Sequence, residues 1–297
     1  MAAANFCSQL SGGGPSRARH GSRGGKATSS VSEKGSWIVL ERSPFPSLFH
    51  LSKKPSFLLA VPAYRESRRL GRFLPGLLRV ISCKFPNSLV MLVDDGSGPD
   101  EIAALKPLLK KMQTRYRGNF DFLALPKNRG KGGAILAAWK ACRSRFDYLG
   151  FVDADGALAP VEVARLAREL SPGGRGPAVF ASRIKMLGFS VQRDLLRHYA
   201  GRVFATWVGI CLDSRIYDSQ CGLKFIPSHI FKKISSRLHG HGFAWDIELL
   251  GKLISVDCPI REIPVNWSDI KGGKVSLLRD GLELFWVALR EGWTKKC

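Results

Sequence analysis

Short, mostly apolar runs alternate with amphipathic stretches along the chain from residue 56 onward. Four runs of five or six residues, each followed by a proline or an aspartate, predict buried strands: 57–61, 88–93, 120–125 and 148–152. Between and after them, apolar positions at helical spacing predict helices: 70–81, 102–112, 131–141 and 161–170. This alternation predicts an α/β fold with a mostly parallel central sheet and helices on both faces.

The second half of the chain has a less regular pattern. Its predicted extended segments are 179–181, 221–226 and 260–267, and its predicted helices are 194–212 and 245–254. From 275 to 293 apolar residues recur every three or four positions, which predicts an amphipathic C-terminal helix: Leu278, Leu282, Phe285, Leu289 and Trp293. The longest uninterrupted apolar run, 203–212, has ten residues, whereas a membrane span needs about 18.

Residues 1–54 are rich in Gly, Ser, Arg and Lys and contain too few apolar residues to build a core. We expect a disordered, basic, low-complexity leader that is dispensable, so that a chain beginning near Lys53 should fold and keep its activity. A nucleic-acid-binding tail and a misplaced start codon are the alternatives for the same composition. Residues 55–297 are expected to form one domain.

The chain carries 46 Lys and Arg residues against 24 Asp and Glu residues, a formal net charge of +22. Such a field attracts polyanions, which include nucleic acid, anionic lipid and phosphorylated substrates. The seven cysteines form no C-x-x-C pair, which argues against a structural zinc site and favours free thiols in a reducing cytosol. A nucleic-acid-binding protein remains the alternative from another class, although no zinc finger or RNA-binding signature is present.

Acidic residues follow two of the predicted strands. Asp153 and Asp155 come after the fourth strand, and their spacing of two directs both carboxylates to one side if the strand continues. Two carboxylates suit a hard cation such as Mg²⁺ or Mn²⁺, which also binds substrate phosphates. Asp94 and Asp95 follow the second strand, where they can accept hydrogen bonds from a base or a ribose. The alternative in both places is a solvated turn, since Asp and Gly are common turn residues.

Two further segments carry candidate chemistry. The segment 128–133, Asn-Arg-Gly-Lys-Gly-Gly, opens a predicted helix, and a glycine-rich helix N-terminus favours phosphate, although this is not a Walker A motif. Asp246 and Glu248 lie in the first turn of the helix 245–254. An acidic residue here is either a general base for an acceptor hydroxyl or an ordinary first-turn residue, since acidic side chains are favoured at a helix N-terminus. The helix 194–212 and its approach carry basic residues that form either an anion-binding or a solvated face: Arg193, Arg197, His198 and Arg202.

Together with Val61-Pro62-Ala63-Tyr64-Arg65-Glu66, these motifs resemble the family 2 glycosyltransferases of the GT-A fold, a Rossmann-like fold. The segment 218–225, Asp-Ser-Gln-Cys-Gly-Leu-Lys-Phe, is similar to a signature of the polyprenyl-phosphate sugar synthases, as are 242–250 and 262–267. The Gly-Ala pair after Asp155 is closer to the dolichyl-phosphate β-glucosyltransferases than to the mannose synthases. The resemblance covers residues 56 to about 280.

The resemblance implies roles on the donor side. The nucleoside pocket would be lined by Pro62, Tyr64 and Glu66, with Asp94 and Asp95 at the base and ribose and Lys131 near the nucleotide. A Mg²⁺ or Mn²⁺ ion on the diphosphate would be held by Asp153 and Asp155. The chain departs from the family pattern at Arg65, where Asn is usual, and at Ala181, where Gly is usual.

The catalytic residues implied are Asp155, with the metal; Arg183, which would contact phosphate; and Asp246, which in this superfamily is a base candidate. On the acceptor side we place Arg197, Gln220 and Lys224.

The function expected is inverting transfer of a sugar from a nucleotide diphosphate sugar, of the UDP-glucose or GDP-mannose type, to a polyprenyl phosphate. The alternative within enzymes is transfer to a saccharide hydroxyl in capsule or cell-wall synthesis. We expect a cytoplasmic protein attached peripherally to the inner face of an anionic membrane through the C-terminal helix, and no nucleic-acid partner. The alternative for that helix is that its apolar face closes the core of the domain.

Overall fold

A computed structural model of the chain describes residues 54–142, 145–192, 195–240, 242, 244–268, 270 and 279–294. The predicted leader, apart from Lys54, lies outside the described residues. The same holds for Arg193 and for the start of the predicted C-terminal helix, 275–278.

The elements follow the predicted order. The strands are β1 (Phe57–Ala63), β2 (Leu89–Asp94), β3 (Phe120–Ala124), β4 (Tyr148–Val152), β5 (Ala178–Ser182), β6 (Val191–Gln192), β7 (Leu223–Pro227), β8 (Ile260–Pro264) and β9 (Trp267–Ser268). The helices are α1 (Ser67–Lys84), α2 (Pro99–Arg115), α3 (Gly130–Cys142), α4 (Pro160–Ala167), α5 (Leu195–Leu212), α6 (Ser228–Ile234), α7 (Trp245–Ile254) and α8 (Arg279–Thr294).

In the described part of the chain, seven strands form the central sheet in the order β3-β2-β1-β4-β7-β5-β8. The pairs β1–β2, β1–β4, β2–β3 and β5–β8 are parallel, whereas β7 is antiparallel to both β4 and β5. The predicted mostly parallel α/β fold is therefore confirmed. Because β7 runs against its neighbours, it begins beside the end of β4, where Val152 pairs with Leu223. This reversal brings the 218–222 segment to the edge of the sheet at which β4 ends.

Apolar side chains from alternating strand positions fill a core on each face of the sheet. In β1, Phe57, Leu59 and Val61 pack on one side with α1, α2 and α4, while Leu58 and Ala60 pack on the other side. That second core includes buried residues of α3, α5, α6, α7 and α8. Burial on both faces explains why the strands read as continuous apolar runs.

One predicted strand is interrupted. The pattern predicts a continuous strand over 260–267, but β8 ends at Pro264 and the chain continues into β9, which pairs with β6 in a separate two-stranded sheet. Asn266 lies at the break, where its backbone N–H and side-chain amide donate to Glu162 at 3.1 and 3.3 Å. These bonds compete with continued sheet pairing and turn the chain out of the central sheet.

Across the described residues, no helix combines the length and the apolar character that crossing a bilayer requires.

Candidate active site

Strand ends bring the predicted acidic motifs to one edge of the sheet. Ala63, the last residue of β1, pairs with Asp94, the last residue of β2, and the Asp95 N–H donates to the Ala63 carbonyl at 2.8 Å. On the other side of β1, Asp153 is the first residue after β4, and its N–H donates to the Gly222 carbonyl at 2.9 Å. The carboxyl ends of parallel strands are where ligands bind in such sheets.

Asp153 and Asp155 differ in their surroundings. The Asp153 side chain is 38% exposed and its Oδ1 lies 2.9 Å from the Lys131 Nζ. Asp155 is half-buried, and its Oδ1 accepts the Ala157 N–H at 2.9 Å. Burial, followed by the nearby charge of Asp153, raises the pKa of Asp155. Two carboxylates that repel each other at an open edge fit a divalent cation, which would relieve that repulsion.

These two carboxylates are the candidate donor set for a metal. Within the described residues, His, Cys, Asp and Glu side chains form no cluster of three or more suited to a metal ion. Mg²⁺ binds through one or two carboxylates together with substrate phosphates and water, so the pair formed by Asp153 and Asp155 fits such an ion.

A row of alternating charges leads from the partly exposed Asp153 to buried residues inside the protein. The Lys131 Nζ, in the first turn of α3, lies 2.9 Å from Asp153 and 3.1 Å from the Oδ2 of Asp246 in α7. The other oxygen of Asp246 accepts a hydrogen bond from Lys224 of β7, whose Nζ also donates to the Cys221 carbonyl at 2.8 Å. Both ammonium groups lie near the ring face of Phe151. Asp246 thus holds two lysines, one on each oxygen.

The protonation states in this cluster follow from its charges. Burial alone would raise the pKa of Asp246, but Lys131 and Lys224 outweigh burial and lower it. Burial alone would lower the pKa of Lys131, but Asp153 and Asp246 raise it above its ordinary value. Lys131 and Asp246 are therefore both ionised, and Asp246 is a weak base. Lys224, predicted on the acceptor side, is fully buried and lies behind Asp246.

Gly222 lets the Asp153 carboxylate lie directly against the backbone. A Cβ at this position would overlap the carboxylate of Asp153. The preceding residue, Cys221, is fully buried, and burial raises the pKa of its thiol to about 12. Cys221 therefore acts as a small apolar side chain.

Arg183, the residue directly after β5, is anchored by the carboxylate of Asp218. Its Nε and Nη2 donate to the two oxygens of Asp218 at 2.7 and 2.8 Å, and its backbone N–H donates to Asp218 at 2.9 Å. Glu262 of β8 in turn accepts the backbone N–H groups of Tyr217 and Asp218 at 2.7 and 2.8 Å. The Arg183 guanidinium also lies 5.4 Å from the centre of the Trp267 ring. These contacts fix the orientation of the guanidinium, whose side chain keeps an exposed fraction of 18%.

A cleft lies between Arg183, α5 and the 217–220 segment. Its lining includes Arg183, Arg202, Tyr217, Ser219 and Gln220. The Arg202 guanidinium lies 3.8 Å from the centre of the Tyr217 ring. The hydroxyl of Ser219 is buried there and has no hydrogen-bond partner among the described residues. Gln220 thus lines the same cleft as Arg183, and the backbone of Arg197 belongs to helix α5, which also lines the cleft.

The predicted nucleoside end is built by turns. Asp94 Oδ2 accepts the Ser97 N–H at 3.0 Å, and Asp95 Oδ1 accepts the Arg129 N–H at 2.8 Å. Burial is the largest influence on Asp95 and raises the pKa of its carboxyl to about 6, against the backbone hydrogen bonds from Arg129 and Gly130. Asp95 therefore ties the glycine-rich segment to the end of β2.

Three more predicted residues line the end of β1. Pro62 is partly buried in β1, Tyr64 lies just beyond it, and the Glu66 carbonyl accepts the first backbone bonds of α1. Between them Arg65 has a φ of +54°, a left-handed conformation that Asn adopts more readily than Arg. This explains the Asn that is usual there in the family that the sequence resembles. The guanidinium of Arg65 lies 5.1 Å from the centre of the Tyr64 ring.

The glycines that open α3 have a packing role. A Cβ at Gly130 would lie 3.1 Å from the Gly242 backbone nitrogen, and a Cβ at Gly132 would lie 2.7 Å from the Gly240 carbonyl oxygen. Glu248 accepts the backbone N–H groups of His239 and Gly240 at 2.7 and 3.0 Å and so holds this loop in place. Glu248 therefore acts structurally, and the glycines let the loop approach the first turn of α3.

The C-terminal helix α8 exposes its apolar stripe. Its buried positions are Leu284, Ala288, Glu291 and Gly292, and Glu291 lies 2.8 Å from the Lys252 Nζ of α7. Apolar side chains of α5 and α8 that stay on the surface form what we call the apolar face: Val203, Ile210, Phe285, Trp286, Leu289 and Trp293. Trp286 and Trp293 are 67% and 81% exposed. The helix thus closes the core with one side and presents aromatic residues with the other.

The structure brings most of the predicted residues to one edge of the sheet. Asp153, Lys131 and Asp246 are linked directly, and Arg183 adjoins Gln220 across the cleft. Sequence reasoning did not single out Asp218 and Glu262, although both stand in the motifs quoted for the resemblance. An acidic residue that opens a signature rich in polar residues is the signal that marks Asp218.

Comparison with known proteins gives a consistent picture. The family model described as Glycosyl transferase family 2 matches residues 59–226. A dolichyl-phosphate beta-glucosyltransferase of Mus musculus is 31% identical over 267 residues, which covers 84% of this chain and 80% of the relative. The enzyme of the same name from Saccharomyces cerevisiae is 28% identical over 248 residues, which covers 79% of this chain and 74% of the relative.

Solved structures resemble this chain in fold. Glucosyl-3-phosphoglycerate synthase from Mycobacterium tuberculosis, in complex with Mn²⁺, UDP and phosphoglyceric acid, matches with a TM-score of 0.57 at 14% identity over 80% of this chain and 78% of that one. A mannosyltransferase from Pyrobaculum calidifontis in complex with GDP-Man and Mn²⁺ matches with a TM-score of 0.50 at 15% identity, covering 88% and 77%. Both likenesses concern the fold, which is GT-A.

Proposed function

The chain belongs to glycosyl transferase family 2, and from this premise we propose that it transfers glucose from UDP-glucose to a polyprenyl phosphate. The relatives named as dolichyl-phosphate beta-glucosyltransferases cover most of the chain and support this donor sugar and this class of acceptor. Attack from the face opposite the leaving diphosphate inverts the anomeric centre, so an α-linked donor yields a β-linked lipid phosphate sugar.

The donor binds at the shared edge of β1, β2 and β4. Tyr64 and the segment around Asp95 receive the nucleoside, and Asp153 and Asp155 hold a Mg²⁺ or Mn²⁺ ion. A bound ion would supply positive charge to the departing diphosphate, which is the main electrostatic demand of the reaction. Arg183, oriented by Asp218, adds a fixed guanidinium at the neighbouring cleft.

The low basicity of Asp246 is the observation that favours a phosphate acceptor. Both of its oxygens are bonded to lysines, and those lysines lower its pKa, so it is a poor proton acceptor. A sugar hydroxyl needs a base to take its proton, whereas a phosphate monoester, with a second pKa of about 6, is already anionic at neutral pH. A site whose central carboxylate positions lysines therefore suits a phosphate acceptor.

The acceptor phosphate enters the cleft beside α5. Arg183 and Arg202 give this cleft positive charge, and Gln220 and the hydroxyl of Ser219 provide hydrogen-bonding groups. Arg197 is a further candidate on helix α5. Lys224 acts on this side through Asp246, since its ammonium is fully buried.

The apolar face attaches the protein to an anionic bilayer. Helix α5 lines the acceptor cleft through Arg202 and also exposes Val203 and Ile210, so the face and the cleft share this helix. Exposed Trp side chains favour the membrane interface, and the net charge of +22 favours anionic lipid.

The five cysteines in the described part of the chain are free thiols, which fits the cytoplasmic side of that membrane.

The test is a transfer assay with labelled UDP-glucose, GDP-mannose and a polyprenyl phosphate, followed by extraction into organic solvent. We expect label from UDP-glucose in the organic phase, dependent on Mn²⁺ or Mg²⁺ and released by mild acid. Label from GDP-mannose alone would overturn the donor assignment. Label that reaches only saccharide acceptors, whichever donor is used, would overturn the acceptor assignment. An Asp155→Asn protein serves as the blank.

A further inference from the structure

Lys131 is shared by two carboxylates on different elements. Its Nζ lies 2.9 Å from Oδ1 of Asp153, after β4, and 3.1 Å from Oδ2 of Asp246, in α7. The ammonium is 4.9 Å from the centre of the Phe151 ring, and the side chain keeps an exposed fraction of 16%, so it adjoins the donor edge. One of its two partners is thus a proposed metal ligand, and the other is not.

An ammonium at hydrogen-bond distance from Asp153 opposes any second cation on that carboxylate. Asp246 offers Lys131 another partner, because it is held in place from behind by the buried Lys224. Lys131 can therefore leave Asp153 and keep a buried counter-ion. Once released, its charge is available to a diphosphate oxygen at the same edge.

We propose that Lys131 is an internal counter-ion that occupies Asp153 until a divalent cation and the nucleotide diphosphate arrive together. This inference rests on the proposed function for the identity of the metal ligands and of the donor. Lys131 thereby couples the two binding events: it weakens the binding of the free cation and strengthens the binding of the cation in the presence of a diphosphate. Lys131 is a positioning residue in this role.

The experiment measures Mn²⁺ binding, from the electron paramagnetic resonance signal of the free ion, with and without UDP. In the Lys131→Met protein, Mn²⁺ alone should bind about tenfold or more tightly than in the wild type, because one opposing charge is gone. The improvement in Mn²⁺ affinity that UDP causes should be smaller than in the wild type. Lys140→Met is the matched control: Lys140 is exposed near the end of the same helix, and its loss should leave both values unchanged.

A Lys131→Met protein that binds Mn²⁺ alone no more tightly than the wild type would overturn the inference. So would a wild-type protein that binds no Mn²⁺ even with UDP. Lys131→Gln keeps a hydrogen-bond donor for Asp246 without the charge and replaces the Met variant if that one fails to fold. Because the readout is ion binding, a failure of sugar transfer with every donor would overturn the proposed function and leave this result standing.

Discussion

Asp95 and Asp246 are both buried carboxylates, but their surroundings move their pKa values in opposite directions. Asp246 faces two ammonium groups that outweigh its burial. Asp95 accepts backbone N–H groups, and these do not offset burial, so its pKa rises to about 6. Asp246, at the centre of the site, is therefore held as an anion, whereas Asp95, at the nucleoside end, ionises only at a cost in free energy.

Replacing Asp95 by asparagine should stabilise the protein at neutral pH. Because the pKa is raised, ionisation of Asp95 above about pH 6 lowers the free energy of unfolding. Asparagine keeps an oxygen that accepts the Arg129 N–H but carries no charge. Urea unfolding at about pH 7.5 should show a gain of about 1–2 kcal/mol in the variant. As the pH falls below 6 towards the unfolded value of 3.8, the wild-type carboxyl takes up its proton and the difference should disappear. A variant less stable at both ends of this range would contradict the prediction.

Asp153→Asn and Asp155→Asn should each abolish transfer while the fold is retained. An amide is a weaker ligand for a hard cation and leaves the diphosphate charge less compensated, so we expect a loss of at least about 100-fold in rate. The stabilisation of the protein by UDP-glucose with Mn²⁺ should vanish in thermal-shift measurements. Asp257→Asn is the control, because Asp257 is exposed and its φ of +50° suits asparagine. If either variant keeps both the transfer activity and the stabilisation by UDP-glucose with Mn²⁺, Asp153 and Asp155 are turn residues and do not bind a metal.

At the scale of elements, the sequence predicts what depends on local pattern. The apolar runs correctly predict β1, β2 and β4, whose side chains are almost all buried, although β1 continues through Pro62 to Ala63. Strand β3 is also predicted correctly, although it is only partly buried. The extended segment 221–226 was recognised, but its direction was not, since a strand's neighbours are set by contacts distant in sequence. The antiparallel course of β7 nevertheless decides the site, because it brings Gly222 to Asp153 and Lys224 to Asp246.

Gly222→Ala tests this junction between β4 and β7. The added methyl group would overlap the Asp153 carboxylate, so that carboxylate must move away from the metal position. Displacement of a catalytic group by about 1 Å can cost about 100-fold in rate, and we expect a loss of that order, measured in the transfer assay. Gly71→Ala is the matched control: among the described residues, a Cβ there meets no atom within 4 Å outside its own stretch of helix, and in α1 alanine should add up to about 1 kcal/mol of stability. Equal activity of the two variants would contradict the steric role of Gly222.

At the scale of the whole molecule, the apolar stripe of α8 was predicted from its spacing, but its orientation was not. The positions that face the core are Leu284, Ala288 and Glu291, whereas Phe285 and Leu289 of the predicted stripe are half-exposed. Periodicity locates a stripe on a helix, but it does not say whether the stripe meets the core or a partner outside it. Gly292, whose Cβ would overlap the Cys211 backbone, shows how closely the other side of α8 approaches α5.

The apolar face should make membrane binding depend on its two most exposed tryptophans. Replacing Trp286 and Trp293 together by serine removes aromatic area that is 67% and 81% exposed, so the fold should be retained. Cosedimentation with vesicles rich in anionic lipid should fall about tenfold or more, because each aromatic side chain contributes on the order of 1–2 kcal/mol at an interface. Val161→Ser removes an exposed apolar side chain from α4, which packs on the opposite face of the sheet, and should leave binding unchanged. Transfer to a short, water-soluble polyprenyl phosphate should survive in the double variant, while transfer to a long chain in vesicles should fall with binding. Equal binding of wild type and double variant, or equal binding to neutral and anionic vesicles, would show that this face has another partner.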